Sequence, residues 1–293
     1  MNDLSAARAM TTIKEILFRD SALLSRALAL QAAESRLEIR VLLEHALNVD
    51  RAWLLTHDDE ELETEFRLRY ESLLARRLSG EPIAYILGRR EFYGRVFKVG
   101  PAVLIPRPET ELLVEAALER LPKDRPARVL DLGTGSGCVG ISIALERRDC
   151  EVLAVDVSTT ALEMAKENAA DLGASNVRFL ISDWYAQLAT MSFDMIISNP
   201  PYIASGDAHL SKGDLCHEPS SALASGSVGL DAIRIIVLGA AARLHPHGWL
   251  ILEHGYEQAN ACRALLNEVG LKQIFTLADL AGHTRVTGGQ WPG

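Results

Sequence analysis

The chain has 293 residues and carries 30 Lys and Arg against 39 Asp and Glu, a formal net charge of −9. This acidity argues against a protein held on nucleic acid by its overall charge, because binding phosphates in that way needs a surplus of basic side chains. The composition is 48% hydrophobic and 24% charged, which excludes a mainly disordered chain, and the length suits two domains of roughly 100–200 residues each.

Cysteine usage and hydropathy indicate a cytoplasmic protein. The four cysteines lie far apart, with no Cys-x-x-Cys pair of the kind that binds zinc or works in redox exchange, so we expect free thiols and no metal. Residues 1–19 contain no apolar core of a signal peptide, and the most apolar later stretch, residues 232–242, is interrupted by Arg234. We therefore expect a reducing compartment and no membrane span.

Residues 1–79 have the spacing of amphipathic helices. Apolar side chains recur near helical spacing over residues 37–47 and again over residues 62–74, and neither proline nor glycine precedes Gly80. This predicts an N-terminal bundle of four or five short helices.

The pattern changes between residues 80 and 100. Glycine and proline separate short runs at residues 80–82, 85–88 and 91–99, a pattern typical of paired strands joined by a tight turn. We therefore predict a β-hairpin linker over residues 80–100. Its arginines and lysine make it locally basic, which fits either a docking edge or the charges that protect a strand edge from aggregation.

Residues 101–293 alternate between strands and helices. Such alternation predicts an α/β domain, with helices packed on a parallel, doubly wound sheet. The predicted elements in chain order are a helix over 108–121, a strand over 128–132, a helix over 139–146, a strand over 151–155, a helix over 159–171, strands over 177–181 and 193–198, a helix over 231–244, a strand over 249–253, a helix over 257–269 and a last strand near 272–277.

A glycine-rich turn follows the first strand of this domain. Gly133, Thr134, Gly135, Ser136 and Gly137 leave a bare backbone that a ligand can approach closely, and the next helix points its N-terminal N–H groups at the same place. The spacing is Gly-x-Gly-x-Gly, whereas a dinucleotide site has Gly-x-Gly-x-x-Gly. The tighter form, preceded by Asp131, resembles the first motif of S-adenosylmethionine-dependent methyltransferases.

Two further strand ends carry candidate cofactor ligands. Asp156 closes the next strand about twenty residues later, where a carboxylate can accept both hydroxyls of a ribose. Asp183 and Trp184 follow the third strand and could bracket an adenine by accepting from its amine and by stacking. Core packing is an equally open interpretation for Trp184.

The fourth strand ends in Asn199, Pro200, Pro201 and Tyr202, the candidate catalytic and substrate-binding residues. Consecutive prolines fix the backbone and remove two N–H donors, so the Asn199 side-chain oxygen and the Pro200 carbonyl can each accept one N–H of a substrate NH2 group. Tyr202 can lie against the flat face of that amide or base. Because no strong base is evident, we expect catalysis by positioning.

The Asn-Pro-Pro-Tyr motif on such a sheet resembles both adenine amino-methyltransferases of nucleic acids and protein glutamine N5-methyltransferases. Residues 81–88, 105–111, 218–223 and 229–231 resemble the PrmC/HemK release factor glutamine methyltransferases, over about residues 80–287. This resemblance implies a Rossmann-like class I methyltransferase domain over 101–293 and a helical domain over 1–79 for substrate-protein recognition. It also implies S-adenosyl-L-methionine as methyl donor, S-adenosyl-L-homocysteine as product, and the glutamine of the Gly-Gly-Gln motif of peptide-chain release factors as acceptor. By matching motifs, it implies that residues 133–137, Asp156, Trp184 and Asn199 contact the cofactor.

Three alternatives remain. Related enzymes methylate a glutamine of a ribosomal protein, although residues 106–109 look more like the release factor enzymes. An adenine N6-methyltransferase is disfavoured by the acidic charge, since no direct nucleic-acid binding is expected. A non-enzymatic S-adenosylmethionine-binding module is disfavoured by the intact Asn-Pro-Pro-Tyr motif.

Three local features depart from the family pattern or stand apart from it. Cys216 precedes His217, and His254 stands where an aliphatic residue is common; both differences are expected to affect packing only. Residues 288–290 repeat Gly-Gly-Gln within the chain itself, a coincidence that we expect to lie in a frayed tail.

Overall fold

The computed structural model describes residues 12–293, and its contacts divide the chain into two compact units, Met1–Leu87 and Gly88–Gly293. The boundaries expected from sequence, after residues 79 and 100, differ from this division, because residues 80–87 belong to the first unit and the hairpin to the second. Residues 1–11 of the expected bundle lie outside the described residues. Within residues 12–293, no helix is long and apolar enough to cross a membrane.

Five helices form the described part of the first unit. The Thr12 side chain caps the first helix in a capping box with Glu15, and Asp50 caps the third through the Trp53 N–H. Buried leucine and isoleucine side chains fill the core, where the Tyr70 hydroxyl donates to Asp20 at 2.9 Å. The helices are α1 (Ile13–Leu28), α2 (Ala32–Leu47), α3 (Arg51–Thr56), α4 (Thr64–Leu78) and α5 (Ile83–Leu87).

The interpretation of residues 85–88 as part of a strand is wrong. Ile83–Leu87 is helical, and the N–H groups of Tyr85 and Ile86 both donate to the Pro82 carbonyl. Pro82 has the fixed φ that suits a helix start. Ala84, Tyr85 and Ile86 are all buried, a run that suits a short helix better than a half-exposed strand.

The second unit begins with the expected hairpin. Strands β1 (Arg89–Phe92) and β2 (Arg95–Lys98) pair antiparallel around Tyr93 and Gly94, which both have positive φ. Positive φ at both turn residues matches the twist of a two-residue hairpin. The aromatic rings of Phe92 and Phe97 are buried and meet edge to face.

A seven-stranded sheet forms the centre of the second unit, in the order β5-β4-β3-β6-β7-β9-β8. The first five strands in that order are parallel, and β9 runs antiparallel to both of its neighbours. The strands are β3 (Arg128–Leu132), β4 (Glu151–Asp156), β5 (Val177–Ile181), β6 (Phe193–Ser198), β7 (Leu244–Glu253), β8 (Lys272–Ala278) and β9 (Thr284–Gln290).

Helices cover both faces of this sheet, each with its own apolar core. Side chains of α6, α7 and α8 pack on one face, and those of α10 and α11 on the other, which is the doubly wound arrangement expected from the alternation of elements. The predicted α/β class is therefore confirmed. The helices are α6 (Glu111–Arg120), α7 (Cys138–Glu146), α8 (Thr159–Leu172), α9 (Ser220–Leu223), α10 (Asp231–Ala240) and α11 (Ala259–Glu268).

The C-terminal part of the chain differs from prediction. Residues 288–290 do not form a frayed tail: they end strand β9, which inserts between β7 and β8. Gly288 and Gly289 are buried there, and the Gln290 side chain is hydrogen bonded to Gln273 at 2.5 Å and to the His247 carbonyl at 2.9 Å. Because β9 is antiparallel, its last residue, Gln290, lies near the amino ends of the parallel strands. The carboxyl ends of those strands are on the opposite side of the sheet.

Candidate active site

A cavity of about 330 Å³ opens at the carboxyl ends of β3, β4 and β6 in the second unit. This is the edge of an open parallel sheet where ligands bind. Eight of the eleven sequence-predicted site residues line this cavity. The other three, Gly137, Pro200 and Tyr202, are next to lining residues in the sequence. The eight are Gly133, Thr134, Gly135, Ser136, Asp156, Trp184, Asn199 and Pro201.

The glycine turn has a backbone that other residues do not readily adopt. Gly133, Gly135 and Gly137 all have φ in the left-handed region, between +55° and +83°. Gly137 also caps α7, and a Cβ atom there would lie 2.6 Å from the Ile141 side chain. The turn therefore needs glycine at this position for both its conformation and its packing.

The buried carboxylate of Asp131 is hydrogen bonded to this turn. Asp131 Oδ2 accepts hydrogen bonds from the Thr134 hydroxyl at 2.6 Å and from the Gly140 N–H at 3.1 Å. Burial raises the pKa of Asp131 to about 6, although both hydrogen bonds oppose that shift. Asp131 therefore connects the end of β3 to the start of α7 and fixes the turn between them.

Asp156 holds the other side of the turn. Its Oδ2 accepts from the Gly135 N–H and its Oδ1 from the Ser158 N–H, both at 2.9 Å. Each carboxylate oxygen can accept a further hydrogen bond, and the half-buried side chain lines the cavity. The Trp184 ring also lines the cavity and lies 3.6 Å from where a Cβ atom of Gly133 would be.

Asn199 presents a buried acceptor. Its Nδ2 donates to the Thr110 hydroxyl oxygen at 3.2 Å, whereas its Oδ1 is buried without a hydrogen-bond partner among the described residues. Leaving such an atom unpaired is costly unless a ligand pairs with it. The preceding Ser198 donates to the Leu132 carbonyl at 2.6 Å and so joins the ends of β6 and β3.

Tyr202 does not line the cavity, and its hydroxyl bonds a buried carboxyl group. It donates to Glu253 Oε1 at 3.3 Å, and burial raises the pKa of both groups, that of Glu253 to about 7. The Gln258 side chain donates to the Tyr202 carbonyl at 2.9 Å and fixes the end of the loop. Contact between the Tyr202 ring and a substrate amide stays a prediction.

Sequence reasoning missed Thr110 and Glu253. Glu253 ends an apolar strand, so the rule that selected Asp156 and Asn199 would also have selected it. Thr110 lies in the segment 105–111 that carried the family resemblance, but its contact with Asn199 spans 89 residues of sequence. Only the fold brings those two side chains together.

Glu218 joins the two other motif segments at the cavity. Its carboxylate pairs with the Arg107 guanidinium and accepts the Ile105 N–H at 2.9 Å. Burial raises the pKa of Glu218, and the charge of Arg107 opposes that shift. The neighbouring prolines, Pro106 and Pro219, both line the cavity, so the ion pair connects two segments of its wall.

The residues that depart from the family pattern take local partners. Cys216 is exposed and its thiol donates to the Gly213 carbonyl at 3.0 Å. His254 is buried between the Gly255 carbonyl and the Thr287 hydroxyl, and burial lowers its pKa. No group of three or more His, Cys, Asp or Glu that could hold a metal ion occurs in residues 12–293.

Fold and site together define a class I methyltransferase. Residues 109–228 match the family model described as Methyltransferase small domain, and residues 22–88 match that of the PrmC N-terminal domain. Among solved structures, the T. thermophilus 16S rRNA N2 G1207 methyltransferase in complex with AdoMet and guanosine has a TM-score of 0.52 at 26% identity. The similarity covers 69% of this chain and 49% of that one. A methyltransferase from Pyrococcus furiosus has the same TM-score at 20% identity, which supports the fold alone.

Curated relatives define the family more closely. Release factor glutamine methyltransferases of Xylella fastidiosa and Bordetella pertussis are 49% and 51% identical, over 88% and 87% of this chain and 94% of each relative. That of Neisseria gonorrhoeae is 52% identical over 87% of this chain and 93% of its own length. The chain belongs to the release factor glutamine methyltransferase family, as its motifs predicted.

Proposed function

We propose that this enzyme transfers the methyl group of S-adenosyl-L-methionine to the side-chain amide nitrogen of the glutamine in the Gly-Gly-Gln motif of peptide-chain release factors. The observation that carries the proposal is the unpartnered, buried Oδ1 atom of Asn199 in the wall of the cavity. This atom is an acceptor for an N–H group, as a glutamine amide requires. The names of the close relatives support the same substrate.

The residues around the glycine turn fit S-adenosyl-L-methionine. Asp156 keeps free acceptor capacity for ribose hydroxyls, and the exposed Asp183 carboxylate and the half-buried Trp184 ring both line the cavity, in keeping with an adenine partner. The left-handed glycines let a ligand approach the backbone closely. When bound, the cofactor would supply an electron-poor methyl group bonded to a sulfonium, with S-adenosyl-L-homocysteine as product.

Catalysis by this chain would depend on orientation. A primary amide nitrogen is a weak nucleophile, because its lone pair is delocalised into the carbonyl. The Asn199 Oδ1 and the Pro200 carbonyl would each accept one N–H and hold that nitrogen in line with the methyl group. Proton loss then follows or accompanies transfer, since deprotonating the amide first would need a much stronger base than this site contains.

The acceptor is the point on which alternative functions differ. A ribosomal-protein glutamine or an adenine N6 amine would present a similar NH2 group to Asn199. The relatives that are about half identical cover far more of both chains than the 26% identical rRNA enzyme does. Charge supports the same ranking, because a net charge of −9 disfavours nucleic acid as partner.

The decisive experiment follows a labelled methyl group. The purified full chain is incubated with methyl-labelled S-adenosyl-L-methionine and a release factor, beside a release factor whose Gly-Gly-Gln glutamine is replaced. Total RNA and ribosomal proteins serve as competing acceptors. We expect label on the wild-type release factor alone; label on RNA or on a ribosomal protein would overturn the proposal.

The variant Asn199→Ala tests whether Asn199 binds the substrate amide, as the proposed function requires. Loss of the acceptor should reduce transfer at least a hundredfold, a loss of the size measured when one donor of an oxyanion hole is removed, while cofactor affinity by calorimetry stays within a few fold. A variant that remains active would exclude the amide-binding role. Asn176→Ala offers a matched control, because Asn176 donates to three backbone carbonyls away from the cavity.

A further inference from the structure

Buried polar side chains extend from Asn199 into the protein. Asn199 Nδ2 donates to the Thr110 hydroxyl oxygen, and the Thr110 hydroxyl in turn interacts with the Glu253 carboxyl group. Glu253 Oε1 accepts from the Tyr202 hydroxyl at 3.3 Å. Thr110 is 2% exposed and Glu253 is 1% exposed, so water does not compete for these contacts. Four polar side chains thus form one network, of which Asn199 and Thr110 line the cavity and Glu253 and Tyr202 do not.

We propose that Glu253 is a positioning residue that acts through Thr110 to hold the Asn199 amide with its oxygen toward the cavity. This inference rests on the proposed function, because it explains how the acceptor for the substrate N–H is kept in place. Thr110 lines the cavity, whereas Glu253 does not.

The donor and acceptor capacity of each group determines how the Asn199 amide is oriented. An ionised carboxylate can only accept, so Thr110 gives its single proton to Glu253 and keeps lone pairs for Asn199. Asn199 must then turn its NH2 toward Thr110 and its oxygen toward the cavity. A protonated Glu253 could instead donate to Thr110, which frees the Thr110 proton for Asn199 Oδ1. Both orientations of the amide then become available.

Unpaired atoms at both ends of the network point to a functional role. Asn199 Oδ1 and Glu253 Oε2 are buried and lack a hydrogen-bond partner in the described part of the chain. A network that served stability alone would satisfy both oxygens of its buried carboxyl group, because a buried acceptor atom without a partner is costly. The free-energy cost of these unpaired atoms is tolerable where they help to bind a substrate.

The groups around Glu253 set its ionisation near neutral pH. Burial is the main cause of a pKa raised to about 7, the charge of Glu109 raises it further, and Arg285 in β9 lowers it. The Tyr202 hydroxyl also favours the carboxylate, and the Cys138 thiol of α7 faces it as a neutral group whose own pKa is raised to about 12. The network therefore changes state in the range where the enzyme would work.

Kinetics with four variants test the proposal. Thr110→Val and Glu253→Gln should each lower kcat on the release factor roughly tenfold, as expected when one hydrogen bond that positions a reacting group is lost, with KM for the cofactor unchanged. Thr110→Ser should restore most of the rate. Thr287→Val is the matched control, because Thr287 is fully buried on β9 and bonds His254. The wild-type rate should rise with pH through about 7, and that rise should vanish in Glu253→Gln.

A readout without substrate separates this inference from the proposed function. The ¹⁵N resonance of the Asn199 side-chain amide can be assigned by its loss in Asn199→Ala. We expect this resonance to shift with pH near 7 in the wild type. It should not shift with pH in Thr110→Val or in Glu253→Gln. If the resonance titrates but no release factor is methylated, the proposed function fails and the network stands. If release factors are methylated but the resonance and the variant rates do not change, the network proposal is wrong.

Discussion

Asp156 shows how a single side chain can serve both the fold and the cofactor. Its two oxygens bond the N–H groups of Gly135 and Ser158, which fixes the carboxylate plane beside the cavity. The lone pairs that remain are therefore aimed before a ligand arrives, and such preorganisation lowers the entropy lost on binding. A less restrained carboxylate would bind ribose hydroxyls more weakly.

Replacing Asp156 should therefore weaken cofactor binding. We expect Asp156→Ala to raise the dissociation constant of S-adenosyl-L-methionine roughly tenfold to hundredfold, because charge-assisted hydrogen bonds are worth about 1.5–3 kcal/mol each. Isothermal calorimetry on the full chain measures this. The exposed Asp149, which pairs with Arg147 away from the cavity, provides the control variant Asp149→Ala. Equal affinity of both variants would rule out the ribose contact.

Element by element, the sequence predicted best where the hydrophobic pattern is regular. Strands β4, β5 and β6 agree with prediction within one residue. Every residue of β6 is buried, as expected of a parallel strand with both faces covered, whereas β5 lies at the edge of the sheet and is partly exposed. The helix expected over 231–244 is wrong at its end, since α10 stops at Ala240 and Leu244 already begins β7. That boundary depends on pairing with β6, which is a contact distant in sequence.

Two of the basic side chains of the hairpin form ion pairs within their own unit, so their charge does not require a docking partner. Arg95 pairs with Glu146 at 2.6 Å, and Lys98 with Glu167 and Asp171 at 3.2 and 2.9 Å. These ion pairs tie the hairpin to helices of its own unit. Exposed pairs of this kind are worth at most about 1 kcal/mol each, so they orient the hairpin more than they stabilise it.

Strand β9 escaped prediction because its sequence is unfavourable for an isolated strand. Glycines at positions 288 and 289 have weak strand propensity, and only pairing with β7 and β8 makes them regular. The structure also explains why glycine is needed. A Cβ at position 288 would lie 2.7 Å from the Phe275 ring and 2.8 Å from the Leu250 carbonyl oxygen, which cannot move without disturbing β7.

Gly288→Ala should consequently destabilise the second unit. Overpacking of this kind costs about 1–3 kcal/mol, and thermal unfolding of the full chain measures it as a lower midpoint. Gly206→Ala is the control, because a Cβ there meets nothing within 4 Å and its φ is not in the left-handed region. Similar midpoints for the two variants would contradict the packing argument.

Charge is distributed unevenly over the whole molecule. Residues 1–80 carry 11 basic and 14 acidic side chains, residues 81–127 carry 8 and 7, and residues 128–293 carry 11 and 18. The excess of negative charge thus belongs mainly to the catalytic part. A substrate protein with a basic surface, such as one that binds ribosomal RNA, would be drawn to it over a distance of about 10 Å at 0.1 M salt.

Burial of carboxyl groups at the site should give the whole molecule a characteristic dependence of stability on pH. Burial raises the pKa of Glu253 from 4.5 to about 7, so between these values the folded protein binds a proton that the unfolded chain has released. Stability from this group is therefore fully present below pH 4.5 and is lost as pH rises through 7. A pKa shift of this size changes the free energy of unfolding by about 3 kcal/mol between the two ends of this pH range.

Glu253→Gln isolates this term, because Gln does not titrate. Relative to the wild type, the variant should be more stable at pH 8 than at pH 5, whereas its methyl transfer should fall furthest behind at pH 8. Denaturant unfolding of both full-length proteins across this range measures the first difference, and initial rates measure the second. Asp194→Asn is the control. Desolvation opposes the shift, but hydrogen bonds from Arg125, the Arg128 N–H and His245 hold the pKa of Asp194 below 3.8. Its contribution is therefore present at both pH 5 and pH 8, and the stability difference between this variant and the wild type should stay constant over the range. A constant stability difference between wild type and Glu253→Gln over this range would mean that Glu253 is ionised to the same extent in the folded enzyme as in the unfolded chain. Its pKa would then not be raised, and the network would not change state near neutral pH.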